Sequence, residues 1–343
     1  MLATDKSRLL LTQGDVAGIG PEIIAAAWQS LVRFSHPVVI GDVQWMERAL
    51  ALRAPGSRAR SVESLEDAKP SPTIVPVIQA TSEDLSNVEV AQVNGSAGKA
   101  AYDFLCRAID ETMAGRAHAI VTAPLHKQSL HEAGIPFPGH TEILAARTQT
   151  PQFGMLLYAK GISVIHVTLH VALRDVFALL TKGAVLEKIR LLNSILPRLL
   201  GRRPRIGVAG LNPHAGDGGL FGSEEREIIE PALAAAQEEG IQVSGPIAPD
   251  AVFVRAIRGE LEGVVAMYHD QGHIALKLLA GHDAVNISVG LPLVRTSVSH
   301  GTAYDIAWRG IAREGSLIEA ARIAARLAGF SIELPSGKAK DTS

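Results

Sequence analysis

The chain has 343 residues, with 33 Lys+Arg against 35 Asp+Glu and a formal net charge of -2, a balance that excludes polyanion binding as its main business. Hydrophobic residues make up 47% and charged residues 20%, enough apolar surface to offset the ordering entropy of a large core, so disorder is excluded for most of the chain. Cys106 is the single cysteine; no intramolecular disulfide and no Cys-based zinc or iron–sulfur site can form, and a transition metal must use His and carboxylate.

Near the N-terminus the apolar run 9–11 is too short for a signal-peptide core or a membrane span, and no apolar stretch of about 20 residues occurs elsewhere. The expectation is a cytoplasmic protein with no membrane or nucleic-acid partner. Short Val-, Ile- and Ala-rich runs then predict strands at 8–12, 38–40, 74–77, 119–122, 154–159, 163–169, 205–210, 263–268 and 285–289. Between them, helical periodicity predicts helices that include 21–32, 98–114, 185–200, 223–239 and 317–328. Pro21 suits a first helical position. Ser223 reads as an N-cap, with Glu224 and Glu225 as an acidic first turn that the helix dipole favours. Segment 53–72 reads as a surface excursion and the tail 335–343 as frayed. Strands apolar on both faces, separated by helices, predict an α/β fold with a mostly parallel sheet covered on both sides.

Two glycine-rich loops invite a phosphate-binding reading. Gly14-Asp15-Val16-Ala17-Gly18-Ile19-Gly20-Pro21 follows a strand and opens a helix, but its spacing fits neither the dinucleotide fingerprint nor the P-loop. It reads equally as a tight strand-to-helix turn. The run 216–222 also fails, because Phe221 stands where the fingerprint needs glycine. The twelve histidines are more informative. Predicted strands lead into His170, His214 and His269, each at a carboxyl-terminal strand edge, where parallel sheets collect ligands. Three imidazoles converging there could hold a divalent metal with open positions; any one alone reads as a hydrogen-bonded loop residue. Pro138-Gly139-His140-Thr141-Glu142 puts donors at a helix start, suited to a phosphate or carboxylate. Lys277, Asn286 and Arg295 lie among apolar runs, where a cation either snorkels to water or meets an anion.

Six motifs together are more specific: 14–22, Thr122-Ala123-Pro124-Leu125-x-Lys127, 134–142, Leu211-Asn212-Pro213-His214-Ala215-Gly216, Met267-Tyr268-His269-Asp270-Gln271-Gly272 and 286–297. In this order they closely resemble the 4-hydroxythreonine-4-phosphate dehydrogenase family over nearly the whole chain. The resemblance implies a fold similar to isocitrate and isopropylmalate dehydrogenases, with two α/β/α domains and an active-site cleft between them. It places a crossover near 130 and a return near 290, giving a cofactor-side domain of 1–130 plus 290–343 and a metal and dimer side of 131–289. It also implies a homodimer whose sites are completed by both subunits.

Carried over residue by residue, the resemblance makes His170, His214 and His269 metal ligands, and His140, Thr141, Lys277, Asn286 and Arg295 substrate-binding residues. The metal is zinc, or alternatively magnesium, cobalt or manganese; an all-imidazole set favours a borderline-soft ion. Residues 299–307 resemble an adenosine-binding segment, with His300, Gly301, Thr302 and Asp305 as cofactor contacts. A carboxylate at Asp305 would accept from a ribose hydroxyl and repel a 2′-phosphate, which favours NAD. That segment usually continues Gly-Lys, where this chain has Trp308-Arg309.

The implied reaction oxidises a small phosphorylated hydroxy acid, first 4-phosphohydroxy-L-threonine, to a β-keto acid that decarboxylates to 3-amino-2-oxopropyl phosphate, a step of pyridoxine biosynthesis. Lys277 and Asp270 are the catalytic candidates, Lys277 and Arg295 as clamps on phosphate or carboxylate and Asp270 as a partner of a metal ligand or proton acceptor. His273, where those enzymes are typically apolar, resembles a second branch acting on D-threonate or D-erythronate 4-phosphate, and other relatives act on cis-dihydrodiol acids. An acyl-phosphate transferase using coenzyme A is the reading from another class; the strand-edge histidines speak against it.

Overall fold

A computed structural model describes residues 5–281 and 284–332. The described residues divide into two compact units, one formed by 5–151 together with 291–332, the other by Gln152–Gly290. In chain order the first unit contains β1 (Ser7–Thr12), α1 (Gly20–Phe34), β2 (Ser35–Gly41), α2 (Val43–Arg53), β3 (Arg58–Ser61), β4 (Ile74–Gln79), α3 (Gly95–Met113), β5 (Ala119–Thr122), α4 (Lys127–Glu132) and α5 (His140–Arg147). The second contains β6 (Gly154–Ala159), β7 (Ile162–His166), α6 (Leu173–Leu179), α7 (Lys182–Leu200), β8 (Ile206–Ala209), α8 (Glu230–Glu238), β9 (Val243–Ile247), α9 (Pro249–Ile257), β10 (Gly263–Ala266), α10 (His269–Ala280) and β11 (Val285–Val289). The chain then returns to the first unit with β12 (Arg295–Val298) and α11 (Gly315–Leu327).

Strands of the first unit lie in the order β3-β4-β2-β1-β5-β12 and pair in parallel. Leu9, Leu10 and Leu11 of β1 are all fully buried; with both faces covered by helices, successive side chains must all be apolar. The core joins Leu10, Phe104, Leu105, Ile120, Leu130, Ile143 and Leu144. Ile143 and Leu144 belong to α5, so residues 131–151 pack in this unit, and the crossover falls about twenty residues later than the position near 130 expected from sequence. No change of composition marks it.

The second unit has the order β11-β6-β7-β10-β8-β9, parallel except for the antiparallel pairs β11/β6 and β6/β7. β6 and β7 form a hairpin closed by Lys160 and Gly161, with φ of 48° and 85°. Positive φ at both central residues matches the twist of a two-residue hairpin, and Gly161 makes half of that turn without cost. Its core gathers Leu157, Val164, Ala209, Val264, Ala266 and Leu276. Helices open on side-chain caps where the sequence supplies them: Asp42 accepts from Trp45 N, Asn94 from Ala97 N and Thr181 from Ala184 N. Among the described residues no helix is long and apolar enough to cross a membrane.

Glu262, at the entry to β10, is 6% exposed. It accepts from Arg205 N at 2.7 Å and Arg202 Nη2 at 2.8 Å, and from the Arg205 guanidinium. Burial alone would raise its pKa, but these donors outweigh burial and push it down to about 2. A depressed folded-state pKa contributes stability that is present above the ordinary value of 4.5 and lost as pH falls toward about 2. Glu262→Gln should lower the unfolding free energy by about 1–3 kcal/mol at neutral pH. In denaturant titrations the gap from the parent protein should close between those two pH values; a gap independent of pH would contradict the assignment.

Candidate functional site

Parallel strands end at one edge, so β7, β10 and β8, which are neighbours, deliver their following loops together. β7 ends on His166 and runs to His170, β10 leads through Met267 and Tyr268 into His269 at the start of α10, and β8 leads to His214. Gln271 ties two of these exits: its Oε1 accepts from Met267 N at 2.6 Å and its Nε2 donates to Gly210 O at 2.8 Å. Thr168 Oγ1 donates to Met267 O at 2.9 Å, fixing the third.

These ties bring four imidazoles close together. His170 and His269 have ring centroids 5.8 Å apart at 42°; two imidazoles ligating one tetrahedral cation at about 2.1 Å have centroids about 5 Å apart. His269 Nδ1 lies 2.6 Å from Asp270 Oδ1. A carboxylate can only accept, so the hydrogen is on Nδ1 and Nε2 keeps its lone pair, the usual arrangement of a metal-ligating histidine. The donor chemistry therefore fits a divalent cation.

Sequence alone does not place two members in this cluster: His166, and His273, which it marks only for the branch it resembles. His273 stacks on His269 at 3.8 Å and 11°, and its Nδ1 is 3.2 Å from His166 Nε2. The (i, i+4) spacing of 269 and 273 on one helix was the available signal for His273; His166, inside a strand, had none. Burial first, then the neighbouring imidazoles, push His166 down to about 3 and His273 down to about 4, so both are neutral at physiological pH.

His214 lies apart in this chain, its ring 6.4 Å from that of Phe221. Among the described residues, no group of three His, Cys, Asp or Glu in one chain is arranged to hold a metal. Its loop is unusual: His214, Ala215, Gly216, Asp217 and Gly218 all have positive φ, between 43° and 80°. Consecutive left-handed residues are costly for side chains with a Cβ, and Glu225 braces the residues that lead into them. Its carboxylate accepts from Leu211 N at 2.8 Å, Asn212 N at 2.7 Å and Asn212 Nδ2 at 2.9 Å. Burial would raise the Glu225 pKa, but these donors hold it below the ordinary range. Glu224 also accepts from Asn212 Nδ2, at 2.7 Å. The two acids expected to serve a helix dipole thus brace the 211–216 loop instead, and the expected helix begins as a π-helical turn, Glu225–Ile229.

Lys277 is exposed on α10, two turns beyond His269, and Asn286 is half-buried in β11 opposite Leu157. In the first unit, Arg295 opens β12 at 4% exposure and donates from Nε and Nη2 to Thr122 Oγ1, at 3.2 and 2.6 Å. Burial pulls its pKa down to about 9, opposed by Glu142, so it stays charged at neutral pH. Burial, with the Arg295 charge added, pushes His140 well below its ordinary range. A guanidinium, a neutral imidazole and the N-terminus of α5, which begins His140-Thr141, are groups suited to an anion.

The first glycine loop is structural. Residues 11–25 are all buried, and its N–H groups are spent internally: Asp15 N on Pro124 O, Ala17 N on Asp15 Oδ1, Gly18 N on Asp15 O and Ile19 N on Thr302 O. Gly14, at φ +66°, has no room for a Cβ, which would meet Pro124 O at 2.1 Å. The loop instead anchors the 299–310 segment. Tyr304 donates to Asp15 Oδ2 at 2.8 Å, and Trp308 N and Gly310 N donate to the buried Glu22. In that segment Thr302 is buried, Gly301 and Asp305 are exposed, and His300 Nδ1 lies 3.1 Å from Gly301 O.

Residues 33–324 match the family described as Pyridoxal phosphate biosynthetic protein PdxA. A relative named D-threonate 4-phosphate dehydrogenase, from Pectobacterium atrosepticum, is 44% identical over 322 residues, 93% of this chain and 99% of that protein. One named 4-hydroxythreonine-4-phosphate dehydrogenase, from Desulforapulum autotrophicum, is 41% identical over 318 residues, 92% of this chain and 94% of that protein. The crystal structure of a 4-hydroxythreonine-4-phosphate dehydrogenase from Klebsiella pneumoniae superposes with a TM-score of 0.86 at 43% identity, covering 94% of this chain and 98% of that one.

Glu225→Ala removes the acceptor for the backbone N–H groups of Leu211 and Asn212, which lead into the left-handed turn. It should cost about 1–3 kcal/mol of stability and speed protease cleavage within 211–222, measured by limited proteolysis with mass spectrometry. Cleavage unchanged there would show that the loop holds itself.

Proposed function

The chain belongs to the Pyridoxal phosphate biosynthetic protein PdxA family, and on that premise we propose that it is a dehydrogenase of a four-carbon phosphorylated hydroxy acid, using NAD and a divalent metal. The observation that carries the reading is the anion site in which buried Arg295 stands beside neutral His140 at the start of α5. D-threonate 4-phosphate moves ahead of 4-phosphohydroxy-L-threonine as substrate. The relative at 44% identity reported above carries the former name, and His273 occupies the position that separates the branches.

In this reading Arg295 and Thr141 bind the phosphate, and His140, being uncharged, adds a hydrogen bond without a second positive charge to repel Arg295. Lys277 and Asn286 bind the substrate's polar end, the Lys277 ammonium countering its carboxylate. His170, His214 and His269 hold the metal, which when bound supplies Lewis acidity at the hydroxyl to be oxidised. Asp270 keeps the hydrogen of His269 on Nδ1. His300, Gly301, Thr302 and Asp305 bind NAD, the hydride acceptor. The product is a β-keto acid that loses carbon dioxide; from 4-phosphohydroxy-L-threonine this gives 3-amino-2-oxopropyl phosphate.

A homodimer belongs to the same reading. With His214 apart from His170 and His269 in one chain, a second copy completes the ligand set. Leu173 and Phe177 on α6 and Ile274 and Leu278 on α10 are exposed by 64%, 55%, 57% and 83%, apolar side chains that a second copy would cover.

NADH formation should be followed with D-threonate 4-phosphate, D-erythronate 4-phosphate and 4-phosphohydroxy-L-threonine, each with zinc, magnesium, manganese and cobalt. The first substrate should give the highest kcat/KM, and His214→Ala should abolish metal-dependent turnover in a folded protein. Full activity of that variant with a chelator present would refute the scheme. Asp305→Ala should narrow the NAD/NADP preference, read as the ratio of the two KM values; an unchanged ratio removes Asp305 from the cofactor site.

A further inference from the structure

Among the described residues, the polar restraint on the His269 ring is the contact with Asp270, whose side chain is 69% exposed. A hydrogen bond so open to water holds a ring weakly. The opposite restraint is buried. His273, 8% exposed, lies one helical turn on and stacks nearly coplanar on His269, 3.8 Å between centroids at 11°.

The His273 ring is itself held in register. Its Nδ1 faces both the carbonyl oxygen of His269 at 3.3 Å and His166 Nε2 at 3.2 Å. A carbonyl can only accept, so His273 Nδ1 carries the hydrogen and His166 Nε2 presents a lone pair. Among the described residues the other ring nitrogen of His166, Nδ1, has no hydrogen-bond partner, on a residue 1% exposed, so the polar contact that holds the ring runs through Nε2. The backbone is shaped for the same contact: a Cβ at Gly272 would lie 2.3 Å from His166 Nε2. Residues 166, 272 and 273 therefore work as one device.

We propose that His273, latched by His166 across the bare backbone of Gly272, is a positioning residue that fixes the plane of the His269 imidazole and so aims its Nε2 lone pair. The lone pair lies in the ring plane, and rotation about the Cβ–Cγ bond sweeps it off a bound cation; the buried stack prevents that rotation. The proposal rests on the reading of His269 as a metal ligand.

The test measures zinc affinity of the full-length protein by competition with a chromophoric chelator, beside metal-free thermal unfolding. His269→Ala should lose zinc, which tests the underlying reading. His273→Ala should bind zinc about 10–100-fold more weakly, the range for losing a group that orients a ligand. His273→Phe, which keeps a ring to stack, and His166→Leu, which removes only the latch, should share a smaller loss. They also serve if His273→Ala fails to fold. Loss of zinc in His269→Ala with parental affinity in folded His273→Phe and His166→Leu overturns the positioning role alone. Parental affinity in His269→Ala overturns the metal reading and this proposal with it. A purely structural role would lower the metal-free melting temperature and leave zinc affinity unmoved.

Discussion

Parallel pairing sets a common level for strand ends, and the register of β7, β10 and β8 decides what chemistry stands above it. His166 pairs with Ala266, and Val208 with Val265, one step below. From that level His269 is three residues on (266 to 269), His170 four (166 to 170) and His214 five (209 to 214). Three loops distant in sequence thus begin together because their strands are hydrogen-bonded side by side. Gln271 and Thr168 then tie the exits with side chains rather than leaving them to loop entropy. Loops of a few residues held at both ends can keep an imidazole within the tolerance that ligation needs.

The two units carry opposite electrostatic designs. In the second, imidazoles are packed so tightly that charge on one opposes charge on the next, and burial adds to that opposition; His166 and His273 are held neutral. Neutral imidazoles are lone-pair donors, useful to a cation. In the first unit burial falls on Arg295, whose intrinsic pKa is so high that even a fall to about 9 leaves it charged, and the nearby His140 gives way instead. Desolvation therefore yields a cation-binding character in one place and an anion-binding character in the other. The difference is the side chain on which it acts.

Much of this was legible because apolar runs report buried parallel strands directly: 8–12, 119–122, 154–159 and 285–289 all became strands. The histidines at strand ends were visible for the same reason. β12 was not, since Arg295-Thr296-Ser297-Val298 is mostly polar. It is buried because each polar group has a partner: Arg295 on Thr122 Oγ1, Thr296 Oγ1 on Ala320 O, Ser297 Oγ on Thr122 O. Those partners come from elsewhere in the chain, and composition cannot show them. β3 was read as a surface excursion because Arg58-Ala59-Arg60-Ser61 is an edge strand with charged side chains, the pattern that protects edges. The left-handed turn at 214–218 has glycine at only two of five positions, and the brace that Glu225 gives its approach at 211 and 212 comes from outside the local sequence.

Trp308 shows how such an imposed conformation can be tolerated. It has φ of 60°, a region where glycine is at ease and a bulky side chain costs about 1–2 kcal/mol, and the segment it departs from has glycine at this point. The indole recovers that cost through contacts glycine lacks. Its Nε1 donates to Val16 O at 2.9 Å, its ring meets Trp45 edge to face at 5.1 Å, and the Arg48 guanidinium lies 4.6 Å from its centroid. An aromatic edge contact and a cation over a ring each contribute on the order of 0.5–1 kcal/mol, enough together to offset the backbone strain. The buried Glu22, accepting from the N–H groups of residues 308 and 310, fixes the backbone on which the indole is carried. The replacement therefore stiffens the 299–310 segment from behind, leaving Gly301 and Asp305 on the accessible side.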